Sequence, residues 1–412
     1  MIAISLSPNS QKDDVFLALT ILVSPWRWFR GSAIKAIEDW FKRYFATQFA
    51  IAFDSGRSGE FAILSALNLH EGDEVIIQAF TCVAVPNSVL WTGAKAIYAD
   101  IDETGNLDPK DLEKKITKKT KAVIIQHTFG IAANMDAIQK VLKGKKIILI
   151  EDCAHALGAS YKGKKLGTFG EFAFFSFGRD KVISSVFGGM VITNSKKYAK
   201  LIRSYQRNLS FPSFFWICSQ LLHPIAFACI LPLYNVASLG KILLIILQRL
   251  RILGFPVDPM EKEGKRPFYY PRKLANAQAM LALHQLQKLS RFNIQRKEIA
   301  ALYAKELASL SAITLPKFRE ENIFLRYNLQ IENPSSLYFF AKKKQILLGR
   351  WYGAIIDPKG VNYARIGFVP QNYPKAQAMA EKSLNLPTHP RMSMQDARKV
   401  VEVVKEYISK KY

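Results

Sequence analysis

Between Ser58 and Ile150 short apolar runs alternate with amphipathic stretches, and this alternation restricts the possible folds more than any other feature of the chain. Ser58 to Leu69 carries apolar residues at helical spacing behind a Gly-rich turn, and Glu74-Val-Ile-Ile follows the turn Gly72-Asp73 as a short strand. Ala96-Ile-Tyr-Ala predicts a strand, Pro109 to Ile116 a helix, Ala122 to Gln126 a strand, Met135 to Leu142 a helix and Lys146 to Ile150 a strand. Phe172 to Phe177 and Gly188 to Thr193 add two more strands. Strands separated by helices pair in parallel. The expected fold is therefore α/β, a mostly parallel central sheet covered by helices, with ligands at the carboxyl ends of its strands.

At 412 residues the chain exceeds a single core, so a second, smaller domain is expected. Residues 1–208, completed by a helix within 265–290, make the large domain. Residues 291–412, with helical patterning from Arg291 to Leu310 and then short strands and helices, make a smaller α+β domain. Between them the composition changes abruptly. From Leu209 to Gly264 the chain is strongly apolar, and almost its only charges before Phe255 are Lys241, Arg249 and Arg251. The stretches Phe211 to Tyr234 and Val236 to Phe255 are each long enough to cross a bilayer. Pro212, Pro224 and Pro232 are expected to break the first, and Lys241 and Arg249 interrupt the second, which predicts a re-entrant or interfacial hairpin. Phe214, Phe215 and Trp216 suit a headgroup boundary. The alternative is burial against the enzyme body or a partner subunit.

A net charge of +25 attracts anions, including acidic lipid, but the lysines form no nucleic-acid recognition motif, so no nucleic-acid partner is expected. Cys82, Cys153, Cys218 and Cys229 have neither zinc-site nor disulfide spacing, which fits a reducing cytoplasm and no metal. Asp13 and Asp14 precede the apolar run Val15 to Val23 and no small-residue cleavage site follows, so a secretory signal is not expected.

Phe175-Ser-Phe-Gly-Arg-Asp-Lys181 places a lysine in a turn after a strand, with Ser176 beside it and Gly188-Gly189 following. Most lysines are solvated charges, but one made neutral by burial can form an imine. Glu151-Asp-Cys-Ala-His155 follows another strand, putting Asp152 at its carboxyl end, where it can hold a pyridine nitrogen protonated. His155 could stack on such a ring or orient Asp152. Asp54-Ser-Gly-Arg-Ser-Gly-Glu60 runs into a helix whose first N–H groups could take a phosphate, aided by Ser55, Arg57 and Ser58. The same turn also reads as an ordinary helix cap.

These three pieces, in this order, resemble the type I pyridoxal-phosphate enzymes, and in detail the DegT/DnrJ/EryC1/StrS sugar aminotransferase family. Further similar segments are Thr92 to Asp102, Lys118 to Val123, His127-Thr-Phe-Gly130, Asn134-Met-Asp136, Gly158 to Gly163, Leu274 to Gln278 and Leu386-Pro-Thr-His-Pro390. The resemblance implies a pyridoxal 5'-phosphate cofactor carried by Lys181, with Asp152 at the pyridine nitrogen, His155 against the ring, and Ser176, Gly56, Arg57 and Ser58 at the phosphate. Where the family often has a ring-stacking aromatic this chain has Cys82, and Phe80 or His155 is expected to compensate. The resemblance further implies a homodimer and transfer of an amino group, with glutamate as the expected donor, onto a nucleotide-linked or lipid-linked keto sugar for surface polysaccharide or glycolipid. The insertion adds an expected anionic membrane surface, with the enzyme cytoplasmic and peripheral to the inner face of the plasma membrane. A second reading is a non-catalytic membrane-associated regulator or scaffold that keeps the fold.

Overall fold

The computed structural model describes residues 1–234, 236, 238–249, 252–254 and 257–411. Its central sheet has seven strands: β1 (Phe49–Phe53), β2 (Glu74–Gln78), β3 (Lys95–Ala99), β4 (Thr120–Gln126), β5 (Ile148–Asp152), β6 (Phe172–Ser176) and β7 (Gly189–Thr193). Their spatial order is β1-β7-β6-β5-β4-β2-β3, with β7 antiparallel to both neighbours and the other pairs parallel. Side chains alternate between two buried faces. Val123, Ile125, Ala173 and Phe175 enter one core layer, with Phe41 and Phe45, while Ile124, Ile150, Phe172 and Phe174 enter the other, with Ile51 and Phe53. Burial on both faces accounts for the continuous apolar runs in the sequence.

The predicted strand Lys146 to Ile150 lies two residues further on. Pairing with β4 begins at Ile148 opposite Ala122 and ends at Asp152 opposite Gln126, so Asp152 closes the strand. Lys146 and Ile147 precede the strand without belonging to it.

A three-stranded antiparallel sheet of Ile313–Thr314, Tyr327–Ile331 and Ser383–Leu386 carries the C-terminal core, with the helices Leu289–Glu306 and Met394–Lys411. Two segments cross the division drawn from composition. Ile2–Ala3 pairs in parallel with Ile346–Leu347, so the first residues belong with the C-terminal domain. Tyr352, Ile356, Phe368 and Met379 return to the large-domain core. Both are long-range pairings without a local signature.

Within the insertion Phe214–Leu233 is one helix that contains Pro224 and Pro232, so the expected break does not occur. A proline inside a helix costs about 3 kcal/mol, and one-sided packing offsets that cost here. Ile217 and Leu221 pack against Ala18 and Ile21 of the helix Lys12–Leu22 and against Ala277 and Leu281 of the helix Asn276–Gln287. This helix is long and apolar enough to cross a membrane by length and composition, yet part of it is buried in the protein. A second helix, Leu239–Arg249, folds back on it. Gly240 permits the approach, because a Cβ there would stand 2.4 Å from the Ile230 carbonyl oxygen. The second helix leaves Leu239, Ile242, Ile245 and Ile246 exposed.

Candidate active site

Three strand ends and one helix start converge on a cavity of about 360 Å³ at the carboxyl edge of the sheet. The helix Gly56–Ala66 begins at its wall, capped by Ser55, whose Oγ accepts from the Ser58 N–H at 3.2 Å. Two glycines seat this turn on the sheet. A Cβ on Gly56 would lie 2.9 Å from Ser176 Cβ, and one on Gly189 2.4 Å from the Ser55 carbonyl. Gly56→Ala is expected to overpack the turn and lower stability by about 1–3 kcal/mol. Cofactor affinity should fall with it, because Ser176 must move; thermal unfolding and a binding titration measure the two effects.

Of the residues expected at the phosphate, Gly56, Arg57 and Ser176 line the cavity, and Ser55 joins them. Ser58 does not. It is buried in the helix cap, its hydroxyl 2.9 Å from Ser55 Oγ. Arg57 holds both carboxylate oxygens of Glu261 and stands 5.2 Å from the centre of the Tyr270 ring. Glu261 is fully buried, and its backbone carbonyl accepts from Asn87 Nδ2 at 2.8 Å. The ion pair therefore ties the chain leaving the insertion to the phosphate turn. Breaking a buried pair strands its partner charge, so Arg57→Met should lower stability by about 3–5 kcal/mol in denaturant unfolding.

Lys181 opens on to the cavity, its amine 5.8 Å from the centre of the Trp351 ring. Enclosure of the amine is the largest influence on its pKa and pushes it below the usual lysine value; Asp152 opposes this and Arg326 adds to it. Asp152 is buried, and its Oδ1 accepts from the Ala154 N–H at 2.9 Å. Burial raises its carboxyl, against the Ala154 N–H, Lys181 and His127. His155 is buried and its Nδ1 accepts from the Phe129 N–H at 3.3 Å, so the proton of the neutral ring is assigned to Nε2. Burial, then Lys181 and Arg326, hold its pKa well below the ordinary histidine value.

Phe80 is behind the cavity, not in it. Its ring packs edge-on against Phe129 at 6.2 Å and Tyr352 at 5.1 Å. The aromatic wall comes instead from Trp351 and Tyr352, with Trp351 stacked near His155 at 6.4 Å and Arg326 3.6 Å above Trp351. Sequence reading missed this pair, and also Gln126 and Glu60. Glu60 stands one turn into the phosphate helix, 1% exposed, with no hydrogen-bond partner for Oε1 among the described residues. Burial first, and then Asp152, raise its carboxyl well above the ordinary value.

His127, Glu151 and Cys153 also cluster, but Glu151 is committed to the loop beyond β5 and His127 Nδ1 accepts from the Ala133 N–H at 3.2 Å. Glu151 accepts from the N–H groups of Gly167, Phe169 and Gly170 at 2.6–2.8 Å, and lies 3.2 Å from His127 Nε2.

A sheet of this order, with its antiparallel strand and a cavity at its carboxyl edge, is the type I pyridoxal-phosphate-dependent transferase fold. The sugar aminotransferase Spr1654 from Streptococcus pneumoniae, described as putative, superimposes in its PLP form with a TM-score of 0.76 at 23% identity, covering 98% of both chains. The profile of the DegT/DnrJ/EryC1/StrS aminotransferase family matches residues 9–213 and 241–405, and the chain belongs to that family. GDP-perosamine synthase of Escherichia coli O157:H7 is 28% identical over 95% of this chain and 94% of its own. The spore coat polysaccharide biosynthesis protein SpsC of Bacillus subtilis strain 168 is 26% identical over 97% and 96%. The protein is thus a pyridoxal-phosphate-dependent aminotransferase. The residues present fit that cofactor: Ser55, Gly56 and Ser176 line the cavity at the start of the helix Gly56–Ala66, Asp152 offers a carboxylate, and Lys181 an amine of lowered basicity. The unmatched residues 214–240 contain the first insertion helix.

Proposed function

We propose that the enzyme transfers an amino group from glutamate to a nucleotide-linked or lipid-linked keto sugar in surface polysaccharide or glycolipid synthesis. The observation that carries this reading is the convergence of Lys181, Asp152 and the Gly56 turn on one cavity. Kinship with GDP-perosamine synthase and SpsC supports a sugar as acceptor. When bound, the pyridoxal ring supplies an electron sink for the charge that develops on the substrate carbon. Lys181 Nζ, made less basic by enclosure, takes the proton from that carbon and returns one on the other side of the transfer. Asp152 keeps the ring nitrogen positive. Ser176 and the N–H groups at Gly56 and Arg57 hold the phosphate, and Trp351 with Tyr352 keeps water from one side. Incubation with glutamate should yield 2-oxoglutarate in an amount matching the enzyme, and a panel of nucleotide-linked keto sugars should then release the amino product. Absence of 2-oxoglutarate would exclude glutamate as donor.

The proposal extends to a homodimer in the cytoplasm, held at the inner face of the plasma membrane. Exposed Phe16, Trp26, Phe215, Ile242, Ile245 and Ile246, with Lys241 and Arg249 on the second insertion helix, support lipid contact. Cosedimentation with anionic but not neutral vesicles, weakened by salt, is the expected result. Equal failure to bind both would remove the membrane from the account.

A further inference from the structure

The segment 177–188, which carries Lys181, lies outside the helices and strands, so its buried carbonyls need partners from elsewhere. Asn9 supplies one: its Nδ2 donates to the Lys181 carbonyl at 2.5 Å and lies 3.4 Å from that of Val182. Arg296 supplies another. Its Nη2 donates to the Val182 carbonyl at 2.8 Å and to Asn9 Oδ1 at 3.0 Å, and its Nη1 to Asn293 Oδ1 at 2.9 Å. Gln285 Nε2 closes the cluster by donating to the Asn9 carbonyl at 3.2 Å. Asn9 is 1% exposed and Arg296 0%.

These acceptors of Arg296 are neutral oxygens, and burial pushes its guanidinium down to about 9. A buried cation facing only neutral oxygens is a costly arrangement. What the guanidinium offers in return is a rigid fork of donors that spans several acceptors at once. The cluster is also rooted away from the sheet. Ile2–Ala3, a few residues before Asn9, pairs with Ile346–Leu347, and Ile4 N–H donates to the Leu347 carbonyl at 3.1 Å. Arg296 stands on the helix Leu289–Glu306, whose Ile299, Ala300 and Tyr303 enter the C-terminal core.

We propose that Asn9 and Arg296 are positioning residues that couple the C-terminal domain to the backbone of Lys181 and set where its amine stands over the cavity. The inference rests on the reading of Lys181 as the cofactor-bearing lysine. Without these donors the Lys181 and Val182 carbonyls lose the partners that hold them, and the turn is free to shift. Misplacing a reacting group by about 1 Å can cost about 100-fold in rate.

The test compares Asn9→Ala, Arg296→Lys and Arg296→Met with wild type in three measurements. Hydrogen exchange of the cofactor-free protein should quicken within 177–188. The pH titration of the visible band of the lysine-bound cofactor should be displaced. The kcat should fall by about 10- to 100-fold with KM nearly unchanged, and Arg296→Lys should recover part of the loss. Wild-type exchange, titration and kcat in variants that are merely less heat-stable would overturn the proposal. If wild type forms no lysine-bound band, it is the assignment of Lys181 that fails, and exchange within 177–188 still decides whether Asn9 and Arg296 fix the segment. Should Arg296→Met not fold, Asn9→Ala decides alone.

Discussion

Lys181→Ala should leave a folded protein that binds pyridoxal phosphate without covalent attachment and has lost at least about 10⁴-fold in turnover, the scale of a proton-transfer group at its upper end. The fold should survive because the side chain opens on to the cavity and is not packed in either core layer. Enclosure already works against its charge, so removing the amine relieves the apoprotein of a partly desolvated cation. Borohydride reduction followed by peptide mass analysis reads the attachment directly. The wild-type peptide containing Lys181 should gain the cofactor mass and the variant should not.

Asp152→Asn should reduce kcat/KM by about 10²–10³-fold, the usual cost of removing one electrostatic partner from a preorganised site. The amide oxygen can still accept from the Ala154 N–H, so the loop keeps its shape and charge is the main thing lost. The effect on stability should run the other way. Burial is the largest influence on the Asp152 carboxyl and raises its pKa above 3.8, so its folded value exceeds its unfolded one. The stability that such a group contributes is complete below the unfolded value and is lost as pH rises through the folded value. At neutral pH the cofactor-free asparagine variant should therefore be at least as heat-stable as wild type. A variant with wild-type kcat/KM would remove Asp152 from the chemistry, and one less stable at neutral pH would contradict the desolvation argument.

Much of this site is legible in the chain because of where its residues fall relative to strands. Lys181 and Asp152 are polar residues at or just beyond apolar runs, and the sheet buries those runs on both faces, so its carboxyl edge is where such side chains can emerge. Gly56 is legible because it opens a helix. Trp351 and Tyr352 are not, since they reach the cavity from the far end of the chain with no motif around them. Phe80, which the resemblance offers as a substitute for the aromatic missing at Cys82, turns instead toward Phe129 and Tyr352. Glu60 reads as an ordinary helical carboxylate until the fold buries it beside the cavity. Arg57 is expected at the cofactor phosphate, and the structure supplies it with an anion from the protein itself, Glu261, near the end of the insertion. The prolines of the first insertion helix misled for a related reason. Local propensity argued for a break, and packing against Lys12–Leu22 and Asn276–Gln287 outweighed it.

The central claim, that this chain moves an amino group by way of Lys181, is tested most directly by the absorption spectrum of the purified holoenzyme titrated with glutamate. The account predicts a visible band that bleaches as glutamate is added, with one equivalent of 2-oxoglutarate released, and no such band from Lys181→Ala. A cofactor-loaded wild type whose visible band is unmoved by glutamate and by other amino donors would contradict it.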